Sequence, residues 1–166
     1  MPTGWRIQSN KQLGEYLVAS ELARRGWLVA MFSGNVPEFD ILATSRNGNA
    51  VPIQVKTMRT GDWQLRVDKF VEVHFEGDRQ RFGRKKQSTV QNLFFVMLYA
   101  QEYGKDQFFI LEWEELRDLV IENHSKWMEA HNWIRPKNPQ SMHCSVHVEQ
   151  LAQFKDRWEK IEEKLE

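Results

Sequence analysis

One cysteine, Cys144, is all the chain contains, which excludes an internal disulfide framework. No hydrophobic run approaches the roughly 20 residues that a membrane helix needs. Residues Met1 to Asn10 hold no apolar core of the kind a secretory signal requires. These absences set the expectation of a soluble protein of a reducing cytoplasm, with no membrane partner. Net charge is also missing: 23 Lys and Arg balance 23 Asp and Glu. A chain without an overall field does not draw in a polyanion at long range, so any contact with DNA must be a local patch. There is no internal repeat and no low-complexity tract.

What is present is ordinary globular composition, 41% hydrophobic and 28% charged over 166 residues. That length suits one domain able to bury a core without staples. Ser9 or Asn10 can cap a helix running to about Arg25, which Gly26 ends. Trp27 to Phe32 reads as a strand, and Ser33-Gly34-Asn35 breaks it. Phe39 to Thr44 and Val51 to Thr57 flank Arg46-Asn47-Gly48-Asn49, a strong hairpin signal. Pro52 weakens the second of these strands, because proline cannot donate to a ladder. Trp63 to Val67 and Phe70 to Phe75 read as extended, and Glu76 to Ser88 as a polar loop. Leu93 to Ala100 and Gln107 to Leu111 read as strands, Glu112 to about His131 as a helix, and Trp133 to His143 as irregular. Leu151, Phe154, Trp158, Ile161 and Leu165 form one stripe of a C-terminal amphipathic helix at about 147–166. That stripe packs on the chain's own sheet or serves a homodimer contact. The order of elements implies an α/β or α+β sandwich with a mixed sheet, its core at about 9–131.

The chemistry concentrates in a few residues. Glu15 falls among Val18, Ala19, Leu22 and Ala23 on the apolar side of the first helix. A carboxylate aimed at a core requires a cation, a metal or hydrogen-bond donors. Gln54 and Lys56 share one strand face. Asp40 joins that face when an odd number of residues closes the hairpin. A three-residue loop, Asn47-Gly48-Asn49, places Asp40 opposite Lys56, whereas a two-residue Asn47-Gly48 loop places it opposite Val55 and away from the lysine. Asp40 and the Gln54 oxygen are hard ligands suited to Mg²⁺ or Mn²⁺, and Glu15 can add a contact or hold a water. Lys56 can orient an attacking water or neutralise charge on a phosphate.

This ordered set resembles the PD-(D/E)xK nuclease superfamily, and within it archaeal Holliday-junction resolvases and methyl-directed restriction endonuclease domains. Gly14-Glu15 matches the helical acid of that family, Asp40 in Glu38-Phe39-Asp40-Ile41 its aspartate, and Gln54-Val55-Lys56 its (D/E)xK element. The likeness covers about Leu13 to Thr57. It implies a restriction endonuclease-like three-layer sandwich, a mixed central sheet flanked by helices, here with an extra C-terminal helix. It also implies a Mg²⁺-dependent endonuclease of DNA, whose substrate would be a junction, a flap or modified duplex. Gln54 stands where the usual second acid would be, which removes one negative charge from the metal cage; some restriction-type branches carry glutamine there. Pro37 is separated from Asp40, so the literal Pro-Asp pair is absent.

Arg79, Arg81, Arg84, Lys85 and Lys86 are the densest basic segment and can grip a phosphate backbone, with Phe82 available to stack on a base. His143, Cys144 and His147 fit no common zinc spacing. Two other functions remain open from the residues: a nuclease-fold module with weak or no catalysis, for which Gln54 and the neutral net charge speak, and an unrelated α/β interaction protein.

Overall fold

A computed structural model describes residues 3–32 and 38–166. The expected Ser33-Gly34-Asn35 break and Pro37 lie outside the described residues. Helix α1 (Thr3–Arg24) leads into strands β1 (Leu28–Met31), β2 (Ile41–Thr44) and β3 (Ala50–Met58). Strands β4 (Trp63–Arg66), β5 (Val71–Glu76) and β6 (Arg79–Lys85) follow. Then come β7 (Phe94–Tyr99), β8 (Gln107–Glu112), helix α2 (Trp113–Glu129), β9 (His143–Val146) and helix α3 (Glu159–Leu165).

Five strands form the central sheet in the order β1-β2-β3-β7-β8. The pair β3–β7 is parallel and the other neighbours are antiparallel, so the sheet is mixed. Strand β7, Phe-Phe-Val-Met-Leu-Tyr, is apolar without alternation because both of its faces are covered. Phe94, Val96 and Leu98 meet Val18 and Leu22 of α1 and Ile161 and Leu165 of α3. Phe95 and Met97 meet Leu116 and Val120 of α2, together with Trp63, Leu65 and Val146 of the small β4–β9 sheet. Each fully buried side chain of this size contributes about 1.5–3 kcal/mol of hydrophobic stabilisation. Helices on both faces of a mixed sheet match the expected three layers.

Several expectations are corrected. Helix α1 begins at Thr3, ahead of the Ser9 or Asn10 cap. Its first turns expose Trp5 and Ile7, so no buried stripe marks them. Residues 76–88 are not a loop. Strands β5 and β6 pair antiparallel across the Gly77-Asp78 turn. Gln80 points inward and donates to the carbonyls of Pro139 and Ser141, so polar composition concealed a strand. The C-terminal stripe is divided. Val148–Phe154 is a 3₁₀ helix, the backbone turns at Asp156 (φ 54°), and α3 starts afresh. Leu151 and Phe154 join the α2 core, whereas Trp158, Ile161 and Leu165 join the α1 core. The chain rounds the β8 edge at this point, with the Asp156 N–H donating to the Phe108 carbonyl at 2.8 Å. Pro52 is tolerated because it lies before the β3–β7 ladder begins at Ile53.

His124 of α2 is buried against Gln80, 3.0 Å between Nε2 and Oε1. Burial pushes its imidazole pKa down to about 4. An unfolded histidine takes its proton near pH ~6.5, so between these values the unfolded chain binds more protons and stability falls as pH falls. We expect a loss of about 2 kcal/mol between about pH 7 and about pH 5 from this group, read by urea denaturation. The His124→Gln variant should flatten that part of the profile; an unchanged slope would remove His124 as its source.

Candidate active site

The hairpin register decides which side chains meet. Thr44 pairs with Ala50 and Ile41 with Ile53, and Ser45 N–H donates to the Asn49 carbonyl at 2.9 Å. The loop is therefore Arg46-Asn47-Gly48, three residues long but one position earlier than expected. Gly48 takes the positive φ (85°) that a three-residue hairpin needs. The odd count holds, so Asp40 faces the same way as Gln54 and Lys56. Its neighbour is Gln54, one step beyond the Ile41–Ile53 pair, and not Lys56 as expected.

Asp40 is fixed where β2 pairing runs out. Its own N–H donates to the Ile53 carbonyl at 2.9 Å. Its Oδ2 accepts from the Val55 N–H at 2.9 Å and from the Gln54 side-chain amide. A short carboxylate thus substitutes for the ladder acceptor that β2 no longer supplies to Val55. Only 8% of Asp40 is exposed, and its other oxygen, Oδ1, lies 3.4 Å from the Lys11 ammonium.

Glu15 reaches the same cation from α1. Lys11 Nζ is 3.5 Å from Glu15 Oε1, so one ammonium bridges the two carboxylates. Burial pushes the Glu15 carboxyl up, the Asp40 charge adds to this, and Lys11 opposes both. Burial pulls Lys11 down, but Asp40 and Glu15 together raise it above the ordinary lysine value. The helix comes close enough because residue 14 is glycine. A Cβ there would sit 1.7 Å from Thr57 Oγ1 on β3.

Lys56, half-buried, follows Gln54 by two residues on the strand. Burial lowers its pKa, Asp40 raises it, and the nearby charges of Lys69 and Lys11 lower it further. The backbone is tied down by Trp63, whose indole N–H donates to the Lys56 carbonyl at 2.9 Å. Asp40 is therefore the hub. It touches Gln54, shares a cation with Glu15, and lies within electrostatic reach of Lys56. Lys11 and Lys69 are absent from the sequence reading. The i, i+4 spacing of Lys11 and Glu15 was the available signal for Lys11. Nothing local marked Lys69.

The basic segment is more committed than its composition suggests. Arg81 pairs with Glu76 at 2.8 Å, Lys85 with Asp118 at 3.0 Å, and Lys86 donates to the Asp68 carbonyl. Arg79 and Arg84 have no carboxylate partner among the described residues. Phe82 stacks on His124, 5.5 Å between centroids, and meets Trp133 edge-on, which removes it as a platform for a base. Among the described residues no group of three or more His, Cys, Asp or Glu gathers, and no helix is long and apolar enough to cross a membrane.

No family model matches the chain, and no curated protein matches it in sequence. In three dimensions the chain is similar to a bacterial homing endonuclease, I-Ssp6803I, with a TM-score of 0.52 at 11% identity. The superposition covers 95% of this chain and 93% of that one, so the likeness is one of fold and extends over nearly the full length of both.

Proposed function

We propose that residues 1–166 act as one nuclease-like domain of PD-(D/E)xK type, a Mg²⁺- or Mn²⁺-dependent endonuclease that hydrolyses phosphodiester bonds in DNA. One observation carries the reading: the carboxylates of Glu15 and Asp40, from a helix and a strand, already share a single cation, the Lys11 ammonium. The nuclease fold of the structural neighbour supports it.

The donor set fits a small hard ion. Asp40 and Glu15 supply carboxylate oxygens, and Gln54, whose nitrogen is turned toward Asp40, has its oxygen left to serve as a third donor. When bound, such an ion supplies charge neutralisation at the phosphate and a water of lowered pKa. Asp40 is held in one orientation by the Val55 N–H and the Gln54 amide. Glu15 would hold the attacking water through its carboxylate. Lys56 places positive charge where the phosphate becomes more negative. Of the basic segment, Arg79 and Arg84, which have no carboxylate partner among the described residues, would hold flanking phosphates, whereas Arg81, Lys85 and Lys86 are engaged within the fold.

The test is incubation with plasmid, branched and single-stranded DNA with Mg²⁺ or Mn²⁺, beside Lys56→Ala. We expect cleavage by the parent chain and a fall of at least about a hundredfold in the variant. Cleavage unaffected by Lys56→Ala would sink the assignment. A second reading, a module that retains DNA without cutting it, is favoured by Gln54 in place of an acid and by Lys11 in the cation position. DNA retention with no cleavage in either metal would select it.

A further inference from the structure

Beside Lys56 opens a cleft of about 1190 Å³. Its walls are the first turns of α1, the end of β3 with the turn that follows, and the turn after β7. Its charges are lopsided once internal pairs are removed. Glu102 is paired with Lys105 at 2.7 Å, and Asp62, hydrogen-bonded to His147 at 2.7 Å, is the one acid of the lining without a Lys or Arg partner among the described residues. Arg6 and Arg59 have no carboxylate partner among the described residues. Arg6, Arg59 and Lys56 therefore outnumber Asp62, and the lining is net positive. On its rim stands Trp5, 66% exposed, an aromatic plane with little else to do in the fold. The volume exceeds the roughly 300–1,000 Å³ of a small-molecule pocket.

We infer that this cleft takes an unpaired DNA strand running on from the scissile phosphate, with Arg6 and Arg59 on its phosphates and a base stacked on Trp5; the inference rests on the cutting site proposed above. Guanidinium groups meet phosphate oxygens bidentately. An exposed indole lining the same cleft stacks any base, but only one that duplex pairing has released. The substrate class that follows is branched or flapped DNA with a single-stranded arm, in preference to uninterrupted duplex. The net charge of zero is no obstacle, because a local excess of positive charge is enough to hold a phosphate backbone.

The test is fluorescence anisotropy of a labelled single-stranded oligonucleotide in EDTA, with unlabelled duplex as competitor, using the full chain. Trp5→Ala should weaken binding about tenfold. The Arg6→Ala, Arg59→Ala double variant should weaken it and lower the salt slope by about 1.4, at about 0.7 per phosphate contact on a single strand. Circular dichroism should not change, since Trp5 and Arg6 are on an exposed face. Binding indifferent to all three residues, or a preference for duplex, overturns the inference. If cleavage persists in that case, the cutting site stands without the cleft. Binding that follows these residues without any cleavage in Mg²⁺ or Mn²⁺ supports the cleft and removes the cutting site.

Discussion

An Asp40→Asn protein is expected to lose at least about a thousandfold in DNA cleavage and about 2 kcal/mol in stability. The change keeps the shape of the side chain, so the effect isolates charge and hydrogen-bond polarity. Asp40 has acceptors on both sides: Oδ2 toward the Val55 N–H and the Gln54 amide, Oδ1 toward the Lys11 ammonium. An asparagine must turn its NH₂ toward one of these sides, and on either it meets a donor. A buried donor facing a donor costs about 1–3 kcal/mol. Cleavage falls further, because the charge removed is the one that the helix acid, the strand amide and the lysine surround. Plasmid cleavage, divalent binding by calorimetry and urea denaturation read the three effects. A variant that still binds Mg²⁺ and cuts would show that Asp40 is a structural acceptor only.

Gly14→Ala should destabilise the chain by about 2 kcal/mol although alanine is the better helix former by about 1 kcal/mol. The new Cβ would lie 1.7 Å from Thr57 Oγ1 and 2.9 Å from Thr57 Cβ. Rotating the Thr57 hydroxyl away relieves the first clash and not the second, so α1 must lift from β3. Glu15 is the next residue and moves with the helix, away from Asp40. Cleavage should therefore fall more than tenfold, as small misplacements of reacting groups do. A second change, Thr57→Ala, removes the hydroxyl and should recover part of both losses, a coupling that a double-mutant cycle measures. A Gly14→Ala chain with parental stability and activity would show that the helix has room to spare at this crossing.

The two predictions mark different levels of legibility. Asp40, Gln54 and Lys56 were readable as one set because strand alternation is local: parity within a hairpin decides which side chains share a face. The partner of Asp40 was not readable. It depends on which three residues close the loop, and Arg46-Asn47-Gly48 and Asn47-Gly48-Asn49 are equally good turn sequences until the pairing of Ser45 with Asn49 selects between them. Glu15 was readable as an acid on an apolar face, and its cation was not, since Lys11 reaches Asp40 only when α1 is seated on β3. The basic segment was misread for a related reason. Gln80 is buried and Phe82 half-buried under residues 124 to 141, and a strand covered from so far along the chain leaves no hydrophobic period of its own.

Composition and periodicity alone determined that the chain builds a layered mixed-sheet core, and that Asp40, Gln54 and Lys56 share one face of a hairpin. Tertiary packing decided the rest: the division of the C-terminal stripe between two cores, the Lys11 bridge, and the groove between α1 and the end of β3. The physical reason is range. Strand parity and helical stripes are set by bonds a few residues apart, whereas a cation held by two carboxylates depends on how closely a helix rests on a sheet, and here that distance was set by the missing side chain of Gly14.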